Sequence, residues 1–543
     1  MDGVPADRAG PARTMDARAG VALQRRVPSY RGADADLASP LAMRAAADAG
    51  RAALIGRESA SLYRAAAILA VLALATALRV HGLVRQSAWA DEITTLFIAD
   101  PSRPFGRFWD LVLADTHPPL FYLLMRCWSA AFGQSDLAAR VPSLALGVSA
   151  VGAAAVSFKT YPFRSRMALM LLLAVSPGAI EYAQEARSYS LLLLLATVIT
   201  GACFRFIRSR GKENSDAVRA IAILTISGMI ASYTHYFGFL IATTAGLITI
   251  AAARGDRRLL IGAGIGLASI IAAFVPWVVY HAHYMSYGVL TSAWIADFPA
   301  GATISWFMRL WLGGTPALIG CMAIAGTLLS MPGFRAFAWR ESACWLGPLL
   351  AFIVVAAALV ISWHIPVLTS RNLIVLLPAL YLAMSSLFDY GAVRWGTPVA
   401  AIGFTAQLLL MTQSLPWYYT ATTKEQWRES AAFVLAQPGC AEGPIYIYGQ
   451  TPNYRYLVEK VRPRLKLVEI PVEGSTGLSR RPLATDCGVL LWAADLSRSQ
   501  FDAVLSALSV DRSCVRVAVF YWAFVALRAP RDTTKRDDCF LRF

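Results

Sequence analysis

Runs of about 20 apolar residues, the length that crosses the hydrocarbon core of a bilayer, recur between residues 61 and 415 and are separated by short basic or aromatic connections. Eleven spans are predicted, near residues 65–83, 138–158, 167–182, 189–207, 219–235, 238–253, 259–280, 307–330, 343–362, 372–388 and 396–414. Outside this region the pattern changes. Residues 1–60 are rich in Ala, Arg, Gly and Asp, carry no apolar run or helical stripe, and read as a disordered cytoplasmic tail. Residues 416–543 have soluble composition, with helical period over 427–437 and 499–508 and strand-like stretches over 444–448, 488–492 and 515–527. The predicted fold class is mainly α. A polytopic membrane helix bundle occupies residues 61–415, with a first outer loop over 84–136, and a small C-terminal α/β extracytoplasmic domain occupies 416–543.

Basic residues orient the spans. Arg51, Arg57 and Arg64 precede the first span and place its N-terminus in the cytoplasm. No short apolar stretch followed by a small-residue cleavage site occurs at the start, so the first membrane helix is expected to be its own insertion signal. The following outer stretch mixes Asp91, Glu92, Asp100, Asp110, Asp115 and Asp136 with Trp89, Phe97, Phe105, Phe108 and Trp109, as suits helices lying in the interface plane. Residues 117–132 are nearly long enough to cross. If they stay outside, Lys159, Arg164, Arg166, the Arg205–Lys212 cluster, Arg254, Arg257, Arg258, Arg335, Arg340 and Arg394 all fall on the inner side. If they cross, the outer polar residues are divided between two compartments.

The composition supports a membrane protein and excludes a cytosolic enzyme, a disordered scaffold or a secreted mini-protein: 57% of the 543 residues are hydrophobic, 15% are charged, and mean hydropathy is +0.51. The net charge of +16 does not point to nucleic acid. Residues 1–60 hold 9 basic and 7 acidic residues and 416–543 hold 17 and 13, so most of the excess lies among the spans, where it orients helices and attracts anionic headgroups. Cys440, Cys487, Cys514 and Cys539 fall in the C-terminal domain, an even number that allows disulfides in an oxidising exterior or four free thiols. No internal repeat, phosphate-binding glycine loop, dinucleotide fingerprint, Cys-x-x-Cys or His-Glu-x-x-His is present.

Candidate chemistry gathers at the outer ends of the spans. Ala90-Asp91-Glu92 puts two carboxylates beside Trp89; they are either a solvated pair or a base able to take a proton from a hydroxyl. In Asp115-Thr-His117-Pro-Pro-Leu120, two prolines fix a helix start and hold an acid and a histidine just ahead of it. Glu181-Tyr-Ala-Gln-Glu185-Ala-Arg187-Ser-Tyr189 joins two spans; Glu185 and Arg187 either neutralise each other or offer an arginine to a phosphate. Tyr233-Thr-His235-Tyr236-Phe-Gly238 is either an aromatic interfacial belt or part of the same site. Arg371 is either a snorkelling anchor or a cation for an anionic lipid. His281 and His283 have the weaker case, because no acid or proline fixes them.

Together these segments resemble the polytopic glycosyltransferases of the GT-C fold, specifically the group of protein O-mannosyltransferases, aminoarabinose transferases and lipopolysaccharide-core galacturonosyltransferases. The resemblance is carried by Ala90-Asp91-Glu92, Asp115-Thr-His-Pro-Pro-Leu120, the run from Phe132-Gly-Gln-Ser to Arg140-Val-Pro-Ser, the run from Ser176-Pro to Gln184-Glu-Ala-Arg-Ser-Tyr189, and Tyr233-Thr-His-Tyr-Phe-Gly238, covering roughly residues 65–240. It implies transfer of a sugar, with inversion, from a polyprenyl-phosphate donor to a glycan, lipid or protein acceptor on the periplasmic face of a bacterial inner membrane. It implies Asp91, Glu92 and Asp115 as catalytic residues. His117, Glu185, Arg187, Tyr189, His235, Tyr236 and Arg371 would be substrate-binding, with Arg187 and Arg371 on the donor phosphate. A divalent cation on Asp91 and Glu92 is left open, since two carboxylates do not define a metal site. No tryptophan-rich acceptor motif of the oligosaccharyltransferase type is present, which disfavours transfer of a whole oligosaccharide to asparagine. The rival expectation is a polyprenyl-lipid flippase or transporter, for which inverted repeats and interrupted helices at the membrane midplane would be the sign.

Overall fold

The computed structural model describes residues 40–209, 214–285, 307, 314–440, 444–449, 467–470, 487–494, 497–507 and 515–528. Residues 1–64 and 65–543 form separate units. The first helix, Pro40–Val80, begins well inside the stretch expected to be without structure. Its alanines explain this: Ala42, Ala45, Ala46, Ala47, Ala49, Ala52 and Ala53 carry the highest intrinsic helix propensity and need no buried stripe.

Among the described residues, eight helices are long and apolar enough to cross a membrane: Ser59–Val80, Asp136–Ser157, Tyr189–Ser209, Ser215–Thr234, Arg257–His283, Ser342–Ser362, Asn372–Trp395 and Thr397–Thr420. The protein is a multi-pass membrane protein. A ninth crossing is a broken pair, Phe163–Val175 and Pro177–Gln184, bent by 60°. Two further expected spans correspond to shorter helices, Tyr236–Ala252 and Thr315–Leu329, the latter flanked by residues outside those described.

Local chemistry explains the break in the ninth crossing. Pro177 has no amide hydrogen to continue the preceding helix, and Ser176 starts the next one by accepting from the Ala179 amide. The carbonyls left free at the end of the first segment, Leu173 and Ala174, accept from the buried Arg79 guanidinium at 3.0 and 2.9 Å. A second break, between Asn214–Thr234 and Tyr236–Ala252, needs a glycine: a Cβ on Gly238 would lie 2.1 Å from the Ala231 carbonyl oxygen.

The outer loop folds as three short helices, Ala90–Ile98, Phe105–Ala114 and Leu120–Phe132. The last has 13 residues and so rises only about 20 Å, short of the roughly 30 Å hydrocarbon core. Both of its ends stay near the other two helices: Tyr122 bonds Asp115, Arg126 bonds the Asp100 carbonyl, and Gln134 just beyond it bonds the Leu96 carbonyl. The segment therefore does not cross, and the polar residues on either side of it remain at one end of the bundle. The opposite end carries the ion pairs Arg164–Asp389 (2.6 Å) and Arg208–Glu341 (2.8 Å).

The C-terminal domain holds a mixed five-stranded sheet of order β2-β1-β3-β5-β4, built from β1 (Ile445–Gly449), β2 (Leu467–Glu469), β3 (Val489–Ala494), β4 (Val515–Phe520) and β5 (Ala523–Arg528). β1 runs parallel to β2 and β3; β5 runs antiparallel to β3 and β4. Side chains alternate between two cores. Ile445, Ile447 and Val525 pack with the Trp427–Leu435 helix, and Phe524 and Ala526 pack with the Arg498–Ala507 helix. The stretch 515–527, expected as one strand, is a hairpin. Its turn at Tyr521–Trp522 uses none of the usual Asn or Gly; Trp522 takes φ 57°, and Gln426 both donates to the Tyr521 carbonyl and accepts from its amide. Cys440 and Cys487 form a disulfide, while Cys514 and Cys539 lie outside the described residues.

Candidate active site

Asp91 and Glu92 are consecutive on the first turn of the Ala90–Ile98 helix, about 100° apart around its axis. Their carboxylates therefore enter different surroundings. Asp91 is 28% exposed, and its Oδ2 lies 2.7 Å from Nη1 of Arg371 and 3.7 Å from Nη2 of Arg187. Arg371 comes from the turn before the Asn372–Trp395 span and also lies over the Trp89 ring at 5.6 Å. Arg187 comes from the turn after the broken pair and donates to the Asp91 carbonyl and to Thr95 Oγ1.

The second Nη2 contact of Arg187 is His117 Nε2, at 3.2 Å. An arginine can only donate, so Nε2 accepts and the proton of the neutral ring sits on Nδ1, which faces Asp115 Oδ2 at 3.1 Å. Asp115 also receives the His117 amide at 3.0 Å and the Tyr122 hydroxyl at 2.6 Å. Burial pushes the His117 pKa down and the Arg187 charge adds to this, against the pull of Asp115, so the neutral form is favoured. Burial pushes the Asp115 carboxyl up, but His117, Arg187 and Tyr122 together bring it down to about 2. Asp91 follows the same logic: burial raises it, and the Arg371 and Arg187 charges outweigh burial and hold it below the usual carboxylate range.

Glu92 is 1% exposed. Arg140, on the Asp136–Ser157 span, forks onto it with Nε to Oε1 and Nη2 to Oε2, both at 2.8 Å. The remaining Arg140 hydrogens go to the carbonyls of Leu83, Gln86 and Ser87, so all five N–H groups of the guanidinium are used. The Ala186 amide donates to Glu92 Oε1 at 2.9 Å, and Lys424 Nζ lies 3.4 Å from Oε2. Burial opposes the charge of Glu92, but Arg140 and Lys424 prevail and hold the carboxyl at about 2. These contacts anchor the helix rather than face the Asp91 cluster. Among the described residues no group of three or more His, Cys, Asp and Glu side chains is gathered in one place.

The other expected residues fall nearby in differing roles. Glu185 is buried, its Oε1 3.1 Å from Lys424 Nζ, and it does not pair with Arg187. Burial raises its carboxyl and Lys424 lowers it, with the net effect upward. His235 accepts from the Phe237 amide through Nδ1, so it caps the next helix, while its ring meets those of His117 and Tyr189 at 5.3 and 5.9 Å. Tyr189 is fully covered and also packs on Tyr182. Tyr236 donates to His281 Nδ1 at 2.6 Å, which leaves His281 Nε2 to donate to the Asp115 carbonyl at 2.6 Å. His281 therefore belongs to the cluster despite its weaker sequence signal. Arg140 lies in the resembling run without an assigned role, and Lys424 lies in the linker after the last span, where nothing in the sequence marks it.

No family model matches the chain, and no curated protein matches it. Several solved structures are similar in overall arrangement. ArnT from Cupriavidus metallidurans in the apo state aligns over 87% of this chain and 100% of its own, at 15% identity and TM-score 0.49. ArnT from the same organism bound to undecaprenyl phosphate aligns over 86% and 99%, at 14% identity and TM-score 0.48. The Archaeoglobus fulgidus oligosaccharyltransferase in complex with Zn and sulfate aligns over 75% of this chain and 62% of its own, at 12% identity and TM-score 0.43.

Proposed function

We propose that this protein is a membrane glycosyltransferase that moves a sugar from a polyprenyl-phosphate donor to a hydroxyl-bearing glycan, lipid or protein acceptor on the periplasmic side of a bacterial inner membrane. The observation that carries this reading is the partly exposed Asp91 carboxylate lodged between Arg371 and Arg187, two cations from separate turns at the same end of the bundle as the acidic outer loop. A carboxylate there occupies the position of an anionic ligand. A donor phosphate entering the site competes for the same two guanidiniums, whose planar forks suit its oxygens.

That exchange supplies both halves of the chemistry. With the arginines turned to phosphate, Asp91 loses the charges that hold its pKa down and becomes a stronger base. It then takes the proton from the acceptor hydroxyl as the hydroxyl oxygen bonds to the anomeric carbon. The bond from that carbon to the phosphate oxygen breaks with its electron pair, and the polyprenyl phosphate leaves on Arg187 and Arg371, giving inversion in a single displacement. Asp115, with its tautomer-fixing contact to His117, keeps the His117 lone pair aimed at Arg187 and so orients that cation. Glu92 is a positioning residue in this reading.

The test is transfer in proteoliposomes from a panel of radiolabelled polyprenyl-phosphate sugars to an acceptor pool, comparing wild type with Asp91→Asn. Label reaching an acceptor only with wild type supports the proposal and names the sugar. Movement of the intact lipid between leaflets with no transfer from any donor replaces it with the flippase reading.

A further inference from the structure

The linker that enters the C-terminal domain reaches back to the turn carrying Asp91. Gln86 Oε1 accepts from the amides of Thr423 and Lys424, Glu425 accepts from the Ala90 amide at 2.8 Å, and Ser87 donates to the Glu425 carbonyl and to Glu429. Arg428 adds an ion pair to Asp136 at 2.8 Å. From this strap Lys424, 7% exposed, reaches inward, with Nζ between Glu92 Oε2 and Glu185 Oε1.

Its two partners carry the two segments that form the anion site. Glu92 adjoins Asp91. Glu185 lies two residues before Arg187, and the Arg187 amide closes a tight turn onto the Glu185 carbonyl at 2.8 Å. The segments are otherwise tied by the Ala186 amide to Glu92 Oε1 and by the Arg187 guanidinium, whose contacts to the Asp91 carbonyl, Asp91 Oδ2 and Thr95 Oγ1 lie on the side of the site itself. We propose that Lys424 is a positioning residue for the site: it braces the Asp91–Glu92 turn against the Glu185–Arg187 turn and so sets the gap between the Asp91 carboxylate and the Arg187 guanidinium. The folded C-terminal domain thereby contributes to donor binding without touching the donor. An ammonium suits the task because it offers three donors around one point to carboxylates that arrive from different directions. The brace itself is independent of the transferase reading, and only its kinetic consequence rests on it.

Two measurements separate the two. Hydrogen exchange of the whole protein in nanodiscs is compared for wild type, Lys424→Met, Lys424→Arg and the double variant Lys424→Met/Glu185→Gln, which leaves no orphaned Glu185 carboxylate and guards against misfolding. The brace predicts faster exchange, by about tenfold, over 88–93 and 184–188 in Lys424→Met and in the double variant. It also predicts restoration by Lys424→Arg and no change over the Trp427–Leu435 helix. Unchanged exchange in both segments in the double variant overturns the proposal. In the transfer assay, the brace predicts that the double variant raises KM for the donor by about tenfold with a smaller change in kcat, since a misplaced cation weakens phosphate binding first. Wild-type inactivity with altered exchange in the variants would remove the transferase reading and leave the brace standing.

Discussion

The cluster around Asp91 and the cluster around Glu92 begin one residue apart and are built to opposite ends. Around Glu92 every hydrogen of Arg140 is satisfied, both carboxylate oxygens are engaged, and almost no surface remains. Around Asp91 the contacts are single, one of them is long, and more than a quarter of the side chain is open. A buried charge that is fully paired resists change, because removing one partner strands the other. A charge held by partners that a ligand can recruit is available to respond. The contrast is why the proposed function gives Glu92 a structural part and Asp91 the reacting one, a distinction that the dipeptide alone does not contain.

The largest expected effect breaks the comparison from the reactive side. Asp91→Asn keeps the shape and removes the base, so transfer should fall about 10²- to 10⁴-fold in the proteoliposome assay while the thermal unfolding midpoint hardly moves. Glu92→Gln should do the reverse. It leaves Arg140 and Lys424 underpaired in a closed site, costing about 3 kcal/mol of stability and showing as a lower midpoint in detergent. If the two variants gave the same pattern, the division between the clusters would fail.

A pH series sharpens the same point. The Glu92 carboxyl is held at about 2 in the fold against an ordinary 4.5. A depressed acid contributes stability that is fully present above the unfolded value and is lost as pH falls through the folded one, so the contribution fades between about 4.5 and 2. The acid side of the stability curve should be steeper for wild type than for Glu92→Gln. Next in size, Arg371→Lys keeps the charge but loses the planar fork, and should raise KM for the donor about tenfold with kcat little affected. The smallest effect belongs to Tyr236→Phe, which removes one hydrogen bond to His281, is worth about 1 kcal/mol and is expected as a few-fold fall in rate.

The sequence made the bundle legible because lipid imposes length and composition on every crossing, and because the basic connections gather at one end. The Leu120–Phe132 helix could be read as not crossing on charge parity alone, and its 13 residues agree. Which candidate residues would gather was legible from their shared place at the same ends of the spans, near or far in sequence. The acid and histidine of 115–117 meet, and Arg187 and Arg371 meet Asp91 from separate turns. The division between Asp91 and Glu92 depends on which way each points from its helix and on Arg140, 48 residues away, so it was not. Lys424 was hidden for the same reason, 332 residues from its Glu92 partner in a linker without periodicity. The Tyr521–Trp522 turn escaped because it lacks the Asn or Gly that normally announces φ > 0. The helix from Pro40 escaped because propensity, not an apolar stripe, forms it.

The most direct test of the central claim, that Asp91 holds the place of a phosphate until one arrives, is a titration of undecaprenyl phosphate into nanodisc-embedded wild type, Asp91→Asn and Arg371→Ala. Removing a competing carboxylate should leave Asp91→Asn binding the lipid at least as tightly as wild type, although it cannot transfer sugar, while Arg371→Ala binds more weakly. Loss of binding in Asp91→Asn as large as that in Arg371→Ala would contradict the claim.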